Sequence, residues 1–316
     1  MYQIPFYSNE WYLGKINDSE LAKKSKSLYV TMFKKILRET GCEHIHDVLV
    51  NPSRSVNDLI RVDVPTNTQD SVLGTILSIL SHSGQKIHNP ALSDEWNKEF
   101  VKVNTIKQDK SRSNIPSEKQ KRCILNWDTV LKTRDRLDYG SMRHLLLSMY
   151  TYIPPRRQLD YASMRVYFDP TFEPSMDHNH FHVYSEKHSS AYMFINEYKT
   201  KKSYNDFFET EIPTELVEII ISSFKRCPRR YMFVTENKQV FTDANHFQIF
   251  SNKLLKDIFN NDAVSVNSLR HSFASRLKTL NNLSVNEHDI LSRKMGHSLR
   301  KNMEYAFFDD QISVKK

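Results

Sequence analysis

Between residues 21 and 37, apolar side chains fall at Leu21, Leu28, Tyr29, Met32, Phe33, Ile36 and Leu37. That spacing is the period of a helix burying one face. Ser19 stands before the stripe and Gly41 after it, as a start and a stop signal. The polar side carries Lys23, Lys24, Lys26, Lys34, Lys35 and Arg38, which suits either a solvated surface or a face that tracks phosphates. Similar periods predict helices from about Thr68 through Ile76, Ile79 and Leu80 to Gly84, and from Ser93 through Trp96 and Phe100 to Val103. The aromatic opening of the chain shows no period and is expected to be irregular. From Lys98 to Arg122 the period fades into polar, mostly basic residues with Pro116 among them, the pattern of a linker. The expected organisation is a helical domain over 1–108, a basic linker over 109–120 and a second domain over 121–316.

The second domain opens with helical spacing at Trp127, Val130 and Leu131, then at Met142, Leu145, Leu146, Met149 and Tyr150. Pro154 and Pro155 end that run and redirect the chain, leaving Arg156 and Arg157 at a corner. Alternation at Met164, Val166 and Phe168 and the apolar run from Ala191 to Ile195 predict strands. Tyr198-Lys199-Thr200-Lys201-Lys202 is followed by a polar bend near Asn205-Asp206 and by Glu209 to Ile212, which reads as the return strand of a hairpin. Helices are expected after Pro213, from Phe247 to Phe259, and from about Ser268, where Leu269, Phe273, Ala274 and Leu277 share a face. Gly296 stops a further helix containing Ile290 and Leu291.

Charge narrows the partners. The chain has 316 residues with a formal net charge of +8, an excess that favours a polyanion such as nucleic acid or an acidic membrane surface without choosing between them. Cys42, Cys123 and Cys227 show no CxxC spacing, so they suggest neither a disulfide framework nor a zinc site and fit a reducing, intracellular compartment. His178, His180 and His182 would share one strand face, but no further ligand at zinc spacing accompanies them, so no metal and no cofactor is expected. No signal peptide or membrane-spanning run is read, so no membrane partner is expected.

Candidate chemistry gathers near the C-terminus, in VNSLRHSFASRL and SRKMGHSLRKNMEY. Arginine can hold a phosphate bidentately, histidine can hydrogen-bond to it and tyrosine can attack it. Arg270 stands near a helix start, where free N–H groups favour an anion. Lys199, on the hairpin, is a residue type that can protonate a leaving oxygen when its surroundings lower its pKa.

In this order the residues resemble the tyrosine recombinase, or integrase, family over roughly the last two thirds of the chain. Pro155-Arg156-Arg157 with Asp160 resembles the first arginine box, and Arg157 is the better match because Asp160 stands three positions on. Tyr198-Lys199-Thr200 resembles the hairpin lysine box, with Lys199 preferred to Lys201. Leu269-Arg270-His271 resembles the second box, Met295-Gly296-His297-Ser298 the Gly-His box, and Tyr305 the nucleophile. The resemblance implies a mainly α fold with a small antiparallel β-sheet in the C-terminal domain. It also implies a two-domain C-shaped clamp, in which a helical SAM-like core-binding domain and an α+β catalytic domain enclose double-stranded DNA.

The implied chemistry is metal-independent breakage and rejoining of DNA strands through a 3′-phosphotyrosine link. A synaptic homotetramer on DNA is the implied assembly, and a DNA virus or mobile element the expected source, placing the protein in the host nucleus or cytoplasm. Two departures stand out. Asn267 occupies the place where the family carries a histidine, and an amide neither accepts nor releases a proton near neutral pH; His297 and Tyr305 are also one residue closer than in many relatives. A type IB topoisomerase shares the chemistry, and a DNA-binding structural protein with weakened catalysis accommodates Asn267.

Overall fold

The computed structural model describes residues 4–169, 171, 177–183, 191–198, 201, 208–280 and 282–307. The chain divides into two compact units, Met1–Arg112 and Ser113–Lys316. The first is helical: α1 (Asn9–Asp18), α2 (Lys23–Thr40), α3 (Ile45–Leu49), α4 (Pro52–Leu59), α5 (Thr66–His82), α6 (Gln85–His88) and α7 (Pro90–Arg112). Its core is apolar, with Tyr12, Ile16, Phe33, Ile36, Leu49, Ile76, Leu80 and Trp96 fully enclosed. The Trp96 indole donates to the Leu49 carbonyl at 3.0 Å, which satisfies the one polar atom that this ring carries into the interior.

Three expectations for this unit change. The aromatic opening is a helix: Ser8 caps α1 by accepting from the Trp11 amide, and Tyr12 and Ile16, one turn apart, face inward. The stripe on α2 is narrower than the sequence suggests, because Phe33 and Ile36 are buried while Leu28 is exposed. The expected linker shrinks, since α7 continues to Arg112 and a capping box of Ser117 and Gln120 starts another helix. Polar anchors replace the missing apolar period at the end of α7. Lys107 pairs with Asp70 at 2.6 Å and Lys110 donates to Thr66 at 3.1 Å, both on α5.

The second unit runs α8 (Glu118–Cys123), α9 (Trp127–Asp135), α10 (Met142–Met149), α11 (Gln158–Tyr161), β1 (Arg165–Tyr167), β2 (His180–Val183), β3 (Ala191–Ile195), β4 (Phe208–Glu211), α12 (Thr214–Arg226), α13 (Ala244–Phe259), α14 (Val266–Thr279), α15 (Val285–Lys294) and α16 (Leu299–Tyr305). The sheet follows the order β1-β2-β3-β4. It is mixed, and this corrects the antiparallel expectation: β1 and β2 run parallel, with Val166 opposite Phe181, whereas β2–β3 and β3–β4 are antiparallel. Parallel neighbours need a crossover of about a dozen residues, and the chain from 168 to 179 has that length. Phe181, Met193 and Ile195 from the sheet share one core with Leu145, Leu146 and Met149 of α10, Leu216 and Ile220 of α12, Phe247 of α13 and Leu269 of α14. Ile153, just before the turn at Pro154–Arg157, belongs to the same core. Among the described residues, no helix is long and apolar enough to cross a membrane.

Candidate active site

The site is assembled on three short pieces of backbone. The first is the turn at residues 154–157, held extended by its prolines, which ends with Arg157 in a β conformation as the N-cap of α11. The second is the start of α14, where Ser265 and Ser268 form a capping box and the Val266 amide donates to Asn252 at 3.1 Å. These bonds occupy first-turn N–H groups that the sequence left open for an anion. The third is the turn after α15, where Gly296 adopts φ +71° and the His297 amide returns to the Ser292 carbonyl at 2.9 Å.

Arg270 joins all three. It is 2% exposed and donates from Nη1 to the carbonyls of Pro155 at 2.6 Å and Met295 at 3.1 Å, while Nη2 donates to His297 Nε2. A guanidinium has only donors, so His297 Nε2 accepts and the imidazole proton sits on Nδ1. Burial, then the charges of Arg270 and Arg157, push the His297 pKa down to about 2, so the ring is neutral at ordinary pH. Burial and then Arg157 lower the Arg270 pKa to about 10, which leaves it charged at neutrality. Arg157 donates to the Gly296 carbonyl at 2.8 Å, and its remaining N–H groups give the fork capacity for an anion. A Cβ added at Gly296 would lie 3.1 Å from Arg157 Nη1 and 3.7 Å from Arg156 Nη2. Glycine is therefore needed here twice, for the left-handed backbone and for the closeness of the arginines.

Tyr305 ends α16 half-buried beside this cluster. Its ring lies 4.5 Å from that of His297 and 5.9 Å from the Arg270 guanidinium carbon. His271 fixes it from the other side, stacked at 4.2 Å with an interplanar angle of 10° and donating from Nδ1 to the Tyr305 carbonyl at 2.8 Å. The Tyr305 hydroxyl points to Asn267 Oδ1 at 3.4 Å, a long contact for a hydroxyl donor.

The structure therefore brings Arg157, Asn267, Arg270, His297 and Tyr305 to one place. Lys199 lies outside the described residues, and its alternative, Lys201, is paired with Glu197 at 2.6 Å.

One detail of the first box reads differently in three dimensions. Asp160 pairs with Arg156, not Arg157: Arg156 Nε meets Asp160 Oδ2 at 2.7 Å, each side chain 1% exposed. Arg156 also donates to the Lys294 carbonyl at 2.8 Å and lies 4.8 Å over the Phe208 ring. The buried ion pair braces the turn from behind while Arg157 faces the cluster. Arg156 lies ahead of α11, whose N-cap Arg157 is extended, so no helical period announces this pair in the sequence. His271 and Gly296 also stand out only in the structure, the first by its stacking and the second by the space it leaves. His180 and His182 are interior residues of β2, and His180 stacks on Phe194 at 4.7 Å.

No family model matches the chain, and no curated protein matches it by sequence. Among solved structures it is similar to XerA recombinase, with 14% identity over 96% of this chain and 95% of that one and a TM-score of 0.43. It is similar also to a lambda integrase fragment, residues 75–356, solved as a dimer bound to a COC′ core site, with 11% identity over 97% and 95% and a TM-score of 0.48. Identities this low assign no role to any residue. The site itself defines a class: a tyrosine ring packed beside a neutral imidazole and a buried guanidinium, with a second guanidinium one hydrogen bond away at Gly296, a centre suited to an anion.

Proposed function

We propose that this protein breaks and rejoins DNA strands as a tyrosine recombinase, with Tyr305 as the nucleophile. The observation that carries the reading is the packing of the Tyr305 ring against His297 and Arg270, with Arg157 one hydrogen bond away at Gly296. Burial first, and then the neighbouring Arg157 charge, lower the Arg270 pKa, and a phosphodiester bound there offsets the repulsion between the two guanidiniums.

In the reaction, Tyr305 Oη bonds to phosphorus, and the P–O5′ bond breaks with its electron pair on O5′. Arg157 and Arg270 hold the non-bridging oxygens, stabilising the charge that gathers on them in the transition state. The His297 Nδ1–H adds a donor, Lys199 protonates the leaving O5′, and the phenolic proton passes to water, because Asn267 accepts a hydrogen bond but no proton. The 3′-phosphotyrosine conserves the ester, so a second 5′-hydroxyl can reseal the strand without another energy source. The basic face of α2, with Lys23, Lys24, Lys34 and Arg38 exposed, supplies backbone affinity in this reading. The reading extends to a clamp of both units around one duplex and to a homotetramer at synapsis.

A pool of nicked duplexes with randomised sequence tests the proposal. Wild-type protein is expected to form adducts that survive denaturant and can be recovered for sequencing, and Tyr305→Phe to form none. Asn267 supports a second reading, a DNA-binding protein of the same fold with catalysis lost. Binding to the pool without any adduct selects that reading, whereas plasmid relaxation by the monomer selects a type IB topoisomerase.

A further inference from the structure

Of the residues of α16 only Asn302 is buried, and a helix of two turns does not hold its place by itself. The position of Tyr305 therefore depends on what grips the end of this helix. Its hydroxyl gives little purchase, since the contact with Asn267 Oδ1 is 3.4 Å long. A firmer grip comes from α14. His271, 8% exposed, donates from Nδ1 to the Tyr305 carbonyl at 2.8 Å, supplying a partner to one of the carbonyls left open at a helix end. Its ring also stacks on two rings of the same short stretch, Tyr305 at 4.2 Å and Phe307 at 4.9 Å.

One turn along α14, Ser275 secures the same stretch. Its Oγ donates to the His271 carbonyl at 2.9 Å and accepts from the Phe307 amide at 2.9 Å. Ala306 and Phe307 are 2% and 6% exposed, so the residues just beyond Tyr305 are sealed into the unit. Arg270 directly precedes His271, and successive residues of a helix point in different directions, so one faces the anion-holding cluster while the other faces Tyr305. A single turn of α14 thus places both the guanidinium offered to the phosphate and the support of the ring that attacks it. Burial, first, keeps the His271 pKa below its usual value, so the ring is neutral at neutral pH and adds no charge beside Arg270.

We propose that His271 is a positioning residue for Tyr305: through its stack and its bond to the Tyr305 carbonyl, it sets the phenol at attacking distance from a phosphate held by Arg270 and Arg157. The inference rests on the reading of Tyr305 as the nucleophile. His271 touches no reacting atom. Tyr305 Oη bonds to phosphorus and loses its proton to water, while the P–O5′ bond breaks with its electron pair going to O5′, which takes up a proton. Both guanidiniums remain in place without His271, so its loss slows this step and leaves DNA affinity intact. A misplacement of about 1 Å costs up to ~100-fold.

Splitting rate from affinity tests this directly. The full-length protein is assayed on the duplex recovered from the pool for the adduct rate at saturating DNA, the DNA concentration giving half that rate, and the urea midpoint. His271→Ala is expected to lower the saturated rate ~10- to 100-fold, with the half-saturating concentration within about 2-fold of wild type. His271→Asn, which keeps a donor near Nδ1, and His271→Phe, which keeps the stack, are each expected to recover part of that loss, whatever the order of their urea midpoints. Ser275→Ala, which takes the partner from the Phe307 amide, lowers the rate by roughly 3- to 10-fold and serves if His271→Ala does not fold. Saturated rates within about 2-fold of wild type in both alanine variants overturn the proposal while the catalytic reading stands. So does a half-saturating concentration that rises as far as the rate falls, or a set of rates that simply follows the urea midpoints. Adduct formed by Tyr305→Phe, or none by wild type, overturns the catalytic reading itself, and the proposal with it.

Discussion

The two units bury different kinds of side chain. Among the described residues of the first, the buried polar side chains are small or neutral, namely Ser55, Thr75, Gln85 and Ser93, within an apolar core. The second unit has an equally apolar core under its sheet, but beside it lies a layer holding Arg156, Asp160, Asn179, Asn196, Arg270, His271 and His297, each less than a tenth exposed. Burying charge costs free energy that packing alone does not return. The first unit is therefore organised around stability, and the second carries an internal cost beside Tyr305, the proposed nucleophile.

The largest expected effects come from comparing one residue in each unit. Trp96→Ala removes a fully buried ring and leaves the Leu49 carbonyl without its donor, for a loss of about 3–5 kcal/mol. Asp160→Ala leaves the Arg156 charge buried and unpaired, for a similar loss of about 3–5 kcal/mol. The difference lies in the repair. Changing Arg156→Met and Asp160→Leu together is expected to recover most of the stability, because an apolar pair is often as stable as a buried ion pair. Yet adduct formation stays low, since the turn carrying Arg157 loses its brace. Urea unfolding combined with the adduct assay checks both parts. A double variant that is stable and fully active would remove the distinction between the units.

An intermediate effect is expected at Gly296. Alanine there takes on a left-handed backbone at a cost of about 1–2 kcal/mol, and its Cβ meets Arg157 Nη1 at 3.1 Å. Adduct formation is expected to fall by more than that stability loss explains, roughly 10-fold or beyond, because Arg157 must move. Gly41→Ala is the control, since Gly41 has φ +66° with nothing within 4 Å of its Cβ, and it should cost stability without a comparable loss of activity.

Much of this contrast could be read in the chain, but unevenly. The α2 stripe was legible because burial on one face leaves a period, and Ala191–Ile195 because a strand buried on both faces reads as a continuous apolar run. The α1 helix was not, because Tyr7 and Trp11 stack on each other at 3.8 Å and blur the alternation that Tyr12 and Ile16 carry. Strand direction between β1 and β2 depends on the connection and leaves no mark in either strand. In the site, Arg270, His297 and Tyr305 announce themselves by residue type, whereas His271 and Gly296 do not, since stacking on Tyr305 and the space left beside Arg157 exist only in three dimensions. The partner of Asp160 was not legible, since Arg156 and Arg157 are neighbours in the chain and only the structure shows Arg156 meeting Asp160 while Arg157 meets Gly296.

The smallest expected effect is the pH dependence of stability, and it falls mainly on the second unit, although burial also lowers the pKa of His46 in the first. His297 has a folded pKa of about 2 against an ordinary value near 6.5, with burial as the first cause. Above pH 6.5 the ring is neutral folded and unfolded, and contributes no pH dependence. Below that, the unfolded chain takes up a proton that the folded site refuses, so stability declines as pH falls, by up to about 1.4 kcal/mol per pH unit. His144, His180 and His271, all in the second unit, have lowered pKa values with burial as the largest cause, and add in the same direction. Between pH 6.5 and about 5, ordinary carboxylates are still ionised, so a decline in that window reports on histidines. His297→Gln is expected to flatten the slope by as much as one proton, read from urea midpoints across that range. An unchanged slope would mean that the ring is protonated in the folded protein, and the neutral-donor role given to it beside Arg270 would have to be abandoned.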